Sequence, residues 1–383
     1  MTMAKLTESL INELVQTYGT PLLVVDCKQL ATQVEQLRAA LPNVDLYYAL
    51  KAFSDTHIIR ELDAMGVGFD IASSGEADLL YAMKVNPRQT IHTHPIKTDD
   101  DIRQALRFGC TTFVIDNFAE LQKFIPYRSR VGLLIRVAFR SSEAVVDLSK
   151  KFGCDPSELD QLVAEASRLD LAVKGFSFHV GSQCASPSAH VHAIETCAQR
   201  LREWQTWQPQ LSVLDIGGGF PVSYQNPSMA IEDFCQPIRQ ALKQVPDEVR
   251  IIAEPGRYLV APTAYAISRV IGKATRGAVP WYYLDDGVYG NYSGQIFDSA
   301  RYPIHVFKQG AKQPSILAGP TCDSIDIVAE NIMLPELAIG DIVIGSEMGA
   351  YTHATSTHFN RLRPAQVICI NEQAPQPAVA FIG

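Results

Sequence analysis

Short apolar runs alternate with amphipathic segments over the first two thirds of the chain. Eight runs have the composition of β-strands: 46–50, 69–72, 91–93, 112–115, 133–137, 175–179, 212–215 and 250–253. Helical spacing of apolar residues marks segments between them: 55–65, 75–84, 99–108, 117–124, 156–168, 186–204 and 230–243. This alternation predicts an α/β protein with a parallel sheet, and eight repeats predict a closed (β/α)₈ TIM barrel. An open doubly wound sheet is the alternative.

The pattern changes after about residue 262, where strands and loops replace the helical segments. Strands are predicted at 264–271, 281–284, 315–318 and 341–344, with Gly and Pro between them. A further strand at 22–26 precedes the barrel and is predicted to join this second region, making it discontinuous. We therefore expect a barrel over 27–262, and a mostly β second domain formed by 1–26 and 263–383.

The N-terminal region is predicted to be an amphipathic helix and not a signal peptide. Its first 20 residues place Leu6, Leu10, Ile11, Leu14 and Val15 on one stripe. Membrane insertion is not expected either, since Arg136 interrupts the most apolar run, 131–139. These features favour a cytoplasmic protein.

Composition narrows the class of protein. The chain has 383 residues, 47% hydrophobic and 19% charged, which predicts a soluble globular protein with a large core. Its net charge of −8 argues against a nucleic-acid or anionic-membrane partner, because either would need a basic face. Eight dispersed cysteines without a CxxC pair argue against a zinc cage or a disulfide framework.

Polar residues are concentrated where the predicted strands end, which is where TIM barrels build their active sites. They are Lys51 after the first strand, Asp70 in the second, His92 and His94 at the third, Arg136 in the fifth, His179 at the sixth, Gly217, Gly218 and Gly219 after the seventh, and Glu254 to Arg257 after the eighth. One buried charge would fit a core ion pair, but convergence from so many strands indicates a site.

The glycine run 217–219 has the properties of a phosphate-binding loop. It offers three backbone N–H groups without intervening side chains, and Arg257 adds a cationic donor after the next strand. A dinucleotide fingerprint is disfavoured, because Val222 stands where a third glycine is needed and Pro221 breaks the helix start. The pair therefore indicates a phosphorylated cofactor. A lysine at an apolar strand end, Lys51, and a carboxylate for a pyridine nitrogen, Glu254, favour pyridoxal phosphate (PLP).

Eight motifs extend this interpretation to a family. They are YALKA at 48–52, FDIAS at 69–73, HVGS at 179–182, DIGGGFP at 215–221, EPGRY at 254–258, DGVYG at 286–290, GPTCD at 319–323 and EMGAY at 347–351. In this order, over roughly residues 22–363, the chain resembles the fold-type III PLP-dependent basic amino-acid decarboxylases of the ornithine decarboxylase type. The resemblance implies decarboxylation of a basic L-amino acid, chiefly L-ornithine to putrescine and also L-lysine to cadaverine.

The resemblance also implies roles for individual residues. Lys51 resembles the lysine that binds the cofactor covalently, Glu254 the partner of the pyridine nitrogen, and His179 the imidazole stacked on the ring. The implied phosphate ligands are Ser182, Gly217, Gly218, Gly219, Gly256, Arg257 and Tyr351, and Asp70, Glu76 and Arg136 are the implied residues around the lysine and ring. Cys322 and Asp323 match residues that reach into a partner subunit's site, which implies a homodimer with shared sites. The implied substrate contacts are Asp298, Asp323, Tyr289 and Phe359.

Departures from the family pattern leave the substrate's length open. They are Phe53 in place of Asn, Phe297 in place of Tyr before Asp298, and Ser324 with Ile325 in place of Gly-Leu. Diaminopimelate decarboxylase, an alanine racemase of the same fold type and a non-catalytic regulatory homologue are the alternatives. Two histidine pairs are weighed separately. The pair of His92 and His94 has metal-binding spacing but lies on the wrong strand for an amidohydrolase, and the pair of His190 and His192 is predicted to lie on a solvated helix face.

Overall fold

The computed structural model describes residues 6–139, 144–146, 150–204 and 210–373. Two compact units divide the chain. The first, the β-domain, contains the chain up to Leu30, Ser223–Pro227 and Val260–Glu372, and the second, the barrel domain, contains Ala31–Val222 and Ser228–Leu259. These limits lie a few residues from the predicted limits at 26/27 and 262/263, which remain predictions. Segment 223–227 is the main difference, since it comes from within the predicted barrel.

The helices and strands are numbered in chain order. The strands are β1 (Leu22–Asp26), β2 (Val44–Ala49), β3 (Gly68–Ile71), β4 (Thr90–His92), β5 (Thr112–Ile115), β6 (Gly132–Val137), β7 (Ala144–Val146), β8 (Val173–Phe178), β9 (Ser182–Cys184), β10 (Val213–Asp215), β11 (Arg250–Ala253), β12 (Ala264–Arg276), β13 (Val279–Leu284), β14 (Ile304–His305), β15 (Gln313–Ala318), β16 (Ile327–Leu334), β17 (Ile342–Gly345) and β18 (Gln366–Ile370). The helices are α1 (Glu8–Tyr18), α2 (Cys27–Ala40), α3 (Thr56–Ala64), α4 (Ser74–Ala82), α5 (Asp99–Phe108), α6 (Phe118–Lys123), α7 (Leu159–Arg168), α8 (Ser188–Trp204), α9 (Ile231–Leu242), α10 (Arg257–Val260) and α11 (Gly294–Phe297).

Eight parallel strands form a closed barrel, which confirms the predicted fold class. The strand order is β2, β3, β4, β5, β6, β8, β10 and β11. The barrel closes because β11 pairs in parallel with β2, with Ile251 opposite Val44. This pairing excludes the open doubly wound sheet. Each barrel strand overlaps one of the eight predicted runs.

Helix α2 is absent from the sequence prediction. Its apolar residues Leu30, Val34 and Leu37 recur at helical spacing and are fully buried. The helix begins directly after β1 without a loop. A helix without an intervening turn signal is hard to separate from the strand before it.

The β-domain is built on a mixed sheet in which β1 is an interior strand. Strand β1 pairs antiparallel with β12, where Leu22 faces Ile267, and in parallel with β18, where Leu22 faces Gln366. Helix α1 packs Ile11, Leu14 and Val15 against this sheet. The apolar face that the sequence predicts for this helix is therefore packed against the sheet. Among the described helices, none has the length and apolar character needed to cross a membrane.

Candidate active site

Lys51 lies directly after β2, in a one-turn 3₁₀ helix formed by Leu50–Ala52. Its Nζ is 3.0 Å from Oδ2 of Asp70, which lies in the neighbouring strand β3. The other oxygen of Asp70 accepts a hydrogen bond from the hydroxyl of Thr93. Asp70 is buried, whereas 38% of the Lys51 side chain is exposed. The amine is therefore held at the mouth of the barrel by a carboxylate that is itself fixed.

Glu76 belongs to the same group of charges. Its carboxylate accepts a hydrogen bond of 2.5 Å from the backbone N–H of Ala72, at the start of α4. Burial raises the pKa of Glu76, and the nearby charge of Asp70 raises it further. This side chain orders the loop that follows β3.

Glu254 follows β11 and is buried beside Asp215, which ends the adjacent strand β10. The two carboxyl groups are close enough for each to shift the pKa of the other, and Oδ1 of Asp215 accepts a hydrogen bond of 2.9 Å from the N–H of Gly217. Burial raises the pKa of Asp215 to about 6, and burial with the charge of Asp215 raises the pKa of Glu254 well above its usual value. Two neighbouring buried carboxyl groups do not both ionise, because the repulsion between two negative charges is large in a poorly solvated site. The raised pKa of Glu254 therefore favours its protonated form.

Arg136 is a half-buried cation of the site. Its guanidinium stacks at 5.5 Å on the ring of Phe152, and its Nη2 has no hydrogen-bond partner among the described residues. Burial lowers its pKa, and the charges of Glu254, Asp116 and Asp215 oppose that shift. A buried guanidinium nitrogen without a partner indicates a site built for an additional acceptor.

His179 presents a neutral imidazole. Its Nδ1 accepts a hydrogen bond of 3.1 Å from the N–H of Gly181, so the proton of the neutral ring is on Nε2. Burial lowers the pKa of His179 well below its usual value, and the charges of Arg136 and Lys51 add to this. A neutral flat ring at this end of the barrel suits contact with an electron-poor aromatic group.

The predicted phosphate-binding residues of the barrel domain meet around the glycine run. Nη2 of Arg257 donates to Oγ of Ser182 at 2.9 Å, and its Nε lies 3.3 Å from the same oxygen. Gly219 has a φ of +103°, and a Cβ there would lie 2.6 Å from the carbonyl oxygen of Gly181. Any residue with a Cβ atom at this position would therefore clash with the backbone of Gly181. Gly256 directly precedes Arg257 and is buried.

The predicted substrate-binding residues of the β-domain form a second group. The hydroxyl of Tyr289 donates to Oδ2 of Asp323 at 2.5 Å, and its ring stacks on Phe359 with centroids 4.5 Å apart. The neighbouring Cys322 is exposed, and its N–H donates to Oδ1 of Asn360 at 3.1 Å. The hydrogen bond from Tyr289 lowers the pKa of Asp323.

Asp298 and Tyr351 also belong to the β-domain. Asp298 is partly exposed at the end of α11, and Tyr351 has a φ of 55° in the loop after β17. A left-handed conformation for a tyrosine is uncommon and marks a constrained loop.

Asp326 is a residue that sequence reasoning missed. One carboxylate oxygen accepts from the N–H of Val288 at 2.8 Å, and the other accepts from the N–H of Thr321 at 3.0 Å. It thereby fixes the loop of Tyr289 to the loop of Cys322 and Asp323. Its position after the GPTCD motif is the only sequence signal.

The prediction for His190 is wrong. The helix that carries it, α8, exists, but the His190 side chain is completely buried, whereas His192 is exposed as predicted. The ring stacks on Phe220 at 5.6 Å and contacts Phe234 edge to face. Aromatic neighbours from distant segments created this environment, so local polarity could not indicate it.

Comparison with known proteins identifies relatives of the whole chain. The model of the family described as "Pyridoxal-dependent decarboxylase, pyridoxal binding domain" matches residues 27–261. A lysine/ornithine decarboxylase of Selenomonas ruminantium is 34% identical over 96% of this chain and 94% of its own. Antizyme inhibitor 2 of Xenopus laevis is 33% identical over 98% and 87%.

Solved structures give the same result. Those of lysine/ornithine decarboxylase from Vibrio vulnificus cover 96% of this chain and 100% of their own. The complex with putrescine is 47% identical with a TM-score of 0.91, and the complex with cadaverine is 48% identical with a TM-score of 0.92.

The residues of the barrel domain fit PLP. The buried carboxyl group of Glu254, whose pKa is raised, suits a pyridine nitrogen, and the buried Nη2 of Arg136 has an open donor. Ser182, Arg257 and the glycine run offer donors for a phosphate. Lys51 supplies the amine that a cofactor aldehyde requires.

Proposed function

We propose that this chain, which belongs to the pyridoxal-dependent decarboxylase family, removes the α-carboxyl group of a basic L-amino acid as CO₂. L-Ornithine, which gives putrescine, is the proposed main substrate, and L-lysine, which gives cadaverine, is the second. The observation that carries the proposal is that structures matched over nearly the whole chain contain these two diamines. Formation of putrescine assigns the reaction to polyamine biosynthesis.

The barrel domain supplies the groups for bond cleavage. Bound PLP supplies an electron-withdrawing ring that accepts the electron pair released when the carboxyl group leaves. Lys51 binds the cofactor covalently through Nζ, and Asp70 positions this amine. Glu254 would hold a proton at the pyridine nitrogen, and the charge of Asp215 raises the pKa of Glu254. His179, neutral and flat, limits the ring's position on one face.

The β-domain supplies the groups for substrate choice and for the final proton. Asp298 and Asp323 bind the distal ammonium of the substrate, and the hydrogen bond from Tyr289 lowers the pKa of Asp323. Cys322 returns a proton to the carbon that lost CO₂. We propose that Cys322 and Asp323 act in the site of a partner subunit, so that the functional unit is a homodimer.

Other substrates are disfavoured by charge. A distal carboxylate, as in diaminopimelate, would meet Asp298 and Asp323, and like charges in a poorly solvated pocket cost several kcal/mol. Alanine would leave both acids without a role, which disfavours a racemase. The name of one relative, antizyme inhibitor 2, keeps a regulatory function as the second candidate. Retention of Lys51, Glu254, Arg257 and Cys322 argues against it.

The decisive experiment is a decarboxylation assay of the purified, PLP-loaded chain with ornithine, lysine, arginine and meso-diaminopimelate. Ornithine should be the best substrate and lysine measurable, because one methylene changes specificity by only roughly 10- to 200-fold. Diaminopimelate and arginine should be poor. Preferred turnover of either would contradict the substrate assignment. No CO₂ release from any of them, with PLP bound, would favour the regulatory candidate.

A further inference from the structure

Each of the three carbonyl oxygens of the glycine run, residues 217–219, accepts a hydrogen bond from another part of the chain. The carbonyl of Gly217 accepts from the N–H of Glu254 at 2.7 Å, and that of Gly219 accepts from the N–H of Cys184 at 3.0 Å. The carbonyl of Gly218 lies 3.0 Å from Nε2 of His190. Two of the three anchors are backbone groups, which most sequences would provide. The third is a side chain, His190.

The anchor of Gly218 determines where the next N–H points. The peptide bond between Gly218 and Gly219 is trans. In a trans peptide unit, the carbonyl and the following N–H point in opposite directions. A carbonyl held toward helix α8 therefore directs the N–H of Gly219 away from the helix, out of the aromatic packing. The same argument applies to the N–H of Gly218, set by the anchor on Gly217.

The histidine is held in the form that this contact needs. A carbonyl oxygen only accepts, so Nε2 must carry the proton. Nδ1 is then a bare acceptor, and it is buried without a partner among the described residues. Burial lowers the pKa of His190 to about 4, so the ring stays neutral near pH 7. Phe220, Phe234 and Phe178 pack around the ring and fix its plane.

A buried nitrogen without a partner costs free energy that a purely structural residue would avoid. A phenylalanine would fill the same aromatic space without that cost. The hydrogen bond from Nε2 to the carbonyl oxygen of Gly218 explains why a histidine stands here, although its Nδ1 is buried without a partner among the described residues.

We propose that His190 is a positioning residue for the cofactor phosphate: its Nε2–H holds the carbonyl of Gly218 so that the N–H of Gly219 is directed at the phosphate group. His190 touches neither cofactor nor substrate and acts through the peptide unit between the two glycines. The inference rests on the PLP assignment made above. It adds a residue from outside the recognised motifs to the phosphate site.

The test compares two substitutions of nearly equal shape. His190→Gln keeps an N–H donor within reach of Gly218, whereas His190→Met has similar length and no donor. His190→Phe is the space-filling variant. His192→Gln, at an exposed position on the same helix, is the matched control. Apo-protein of each variant is titrated with PLP and separately with pyridoxal, which lacks the phosphate, and binding is followed by the visible absorption of the bound cofactor.

We expect His190→Met and His190→Phe to weaken PLP binding about tenfold, the equivalent of one hydrogen bond. Pyridoxal binding should be unchanged in both. His190→Gln and His192→Gln should bind both molecules like the wild type. Loss of affinity for both molecules in His190→Met would indicate general damage to the barrel and overturn the proposal, as would wild-type PLP affinity in that variant.

Two outcomes separate this inference from the cofactor assignment. If wild-type protein binds neither PLP nor pyridoxal, the proposed function fails. If it binds PLP but the ratio of PLP to pyridoxal affinity is the same in wild type and His190→Met, only the role of His190 fails. Should His190→Phe not fold, the Gln and Met variants still give the decisive contrast.

Discussion

Glu254 and Asp215, at the ends of neighbouring strands of the barrel, are two buried carboxyl groups that shift each other's pKa. The charge of Asp215 thus acts on Glu254, the residue proposed to protonate the cofactor ring. It raises the pKa of Glu254 and so favours a carboxyl that carries a proton. The electronic state of the cofactor would thus be set by two residues instead of one.

Replacing Glu254 with Gln should leave PLP bound but lower turnover of ornithine by one to two orders of magnitude or more. The amide cannot keep a proton on the pyridine nitrogen, and each 1.36 kcal/mol lost from the transition state costs about tenfold in rate. Absorption spectra establish cofactor content, and steady-state assays give kcat. Glu232→Gln, on an exposed side chain, is the control. Wild-type kcat in Glu254→Gln would contradict the assignment.

Borohydride reduction of the loaded protein should attach the cofactor permanently to a peptide that contains Lys51. Lys97 is the informative competitor, because burial lowers its pKa to about 7. Its Nζ donates to the carbonyl oxygens of His94, Pro95 and Val114, which occupy its three donors. Peptide mapping by mass spectrometry locates the label. A label on Lys97 or any other lysine would show that the site is misassigned.

Mixing inactive Lys51→Ala with inactive Cys322→Ala should restore activity. A heterodimer of the two variants would contain one intact site, and random exchange in a symmetric dimer gives about a quarter of wild-type activity. Subunit exchange is demonstrated with differently tagged chains. Restored activity requires sites shared between subunits. No recovery after proven exchange would mean that each subunit builds its own site.

Asp298→Ala should chiefly raise the KM for ornithine, with a smaller effect on kcat. This split is expected if the ammonium contact is the same in the ground and transition states. Asp247→Ala, in the turn after α9, serves as the control carboxylate. An unaltered ornithine KM in Asp298→Ala, or efficient turnover of diaminopimelate by the wild type, would refute the proposed role of the acids.

Glu347→Gln should remove a pH-dependent loss of stability. Glu347 is buried, its Oε2 has no partner among the described residues, and burial raises its pKa from 4.5 to about 7. Between these pH values the folded chain binds more protons than the unfolded chain, so the free energy of unfolding falls as pH rises. The loss is roughly 3 kcal/mol at most, and it persists above pH 7.

The measurement for Glu347 is Tm at about pH 5 and about pH 8. Glu347→Gln should gain relative to the wild type at the higher pH and little at the lower. Glu336→Gln is the matched exposed control, since its carboxylate is 76% exposed. Equal shifts at both pH values would show that Glu347 does not titrate as described.

The barrel was predictable from the sequence because its signal is repeated eight times and each repeat is local. The positions of Lys51, His179 and Glu254 at strand ends were also predictable, while their roles remain predictions. Asp215, Thr93 and His190 were not recognised. Their roles depend on which side chain another segment brings within 3 Å or so, and this distance is a property of packing that no local pattern carries.

The β-domain shows the same division. Strand β12 was predicted from a long apolar run, but β16 and β18 were missed, because they are half-exposed strands whose alternation is weak. Helix α2 was missed for the opposite reason. Its stripe is clear, but nothing in the sequence separates it from β1.

Because β1 is an interior strand of its sheet, residues that are synthesised early pair with residues that are synthesised late. Its neighbours are β12 and β18, so an early strand of the chain waits for residues made more than 200 positions later. All eight barrel strands, from β2 to β11, leave the ribosome in that interval. The barrel domain can thus fold during translation, while β1 has no sheet partner on either edge until β12 and β18 are made.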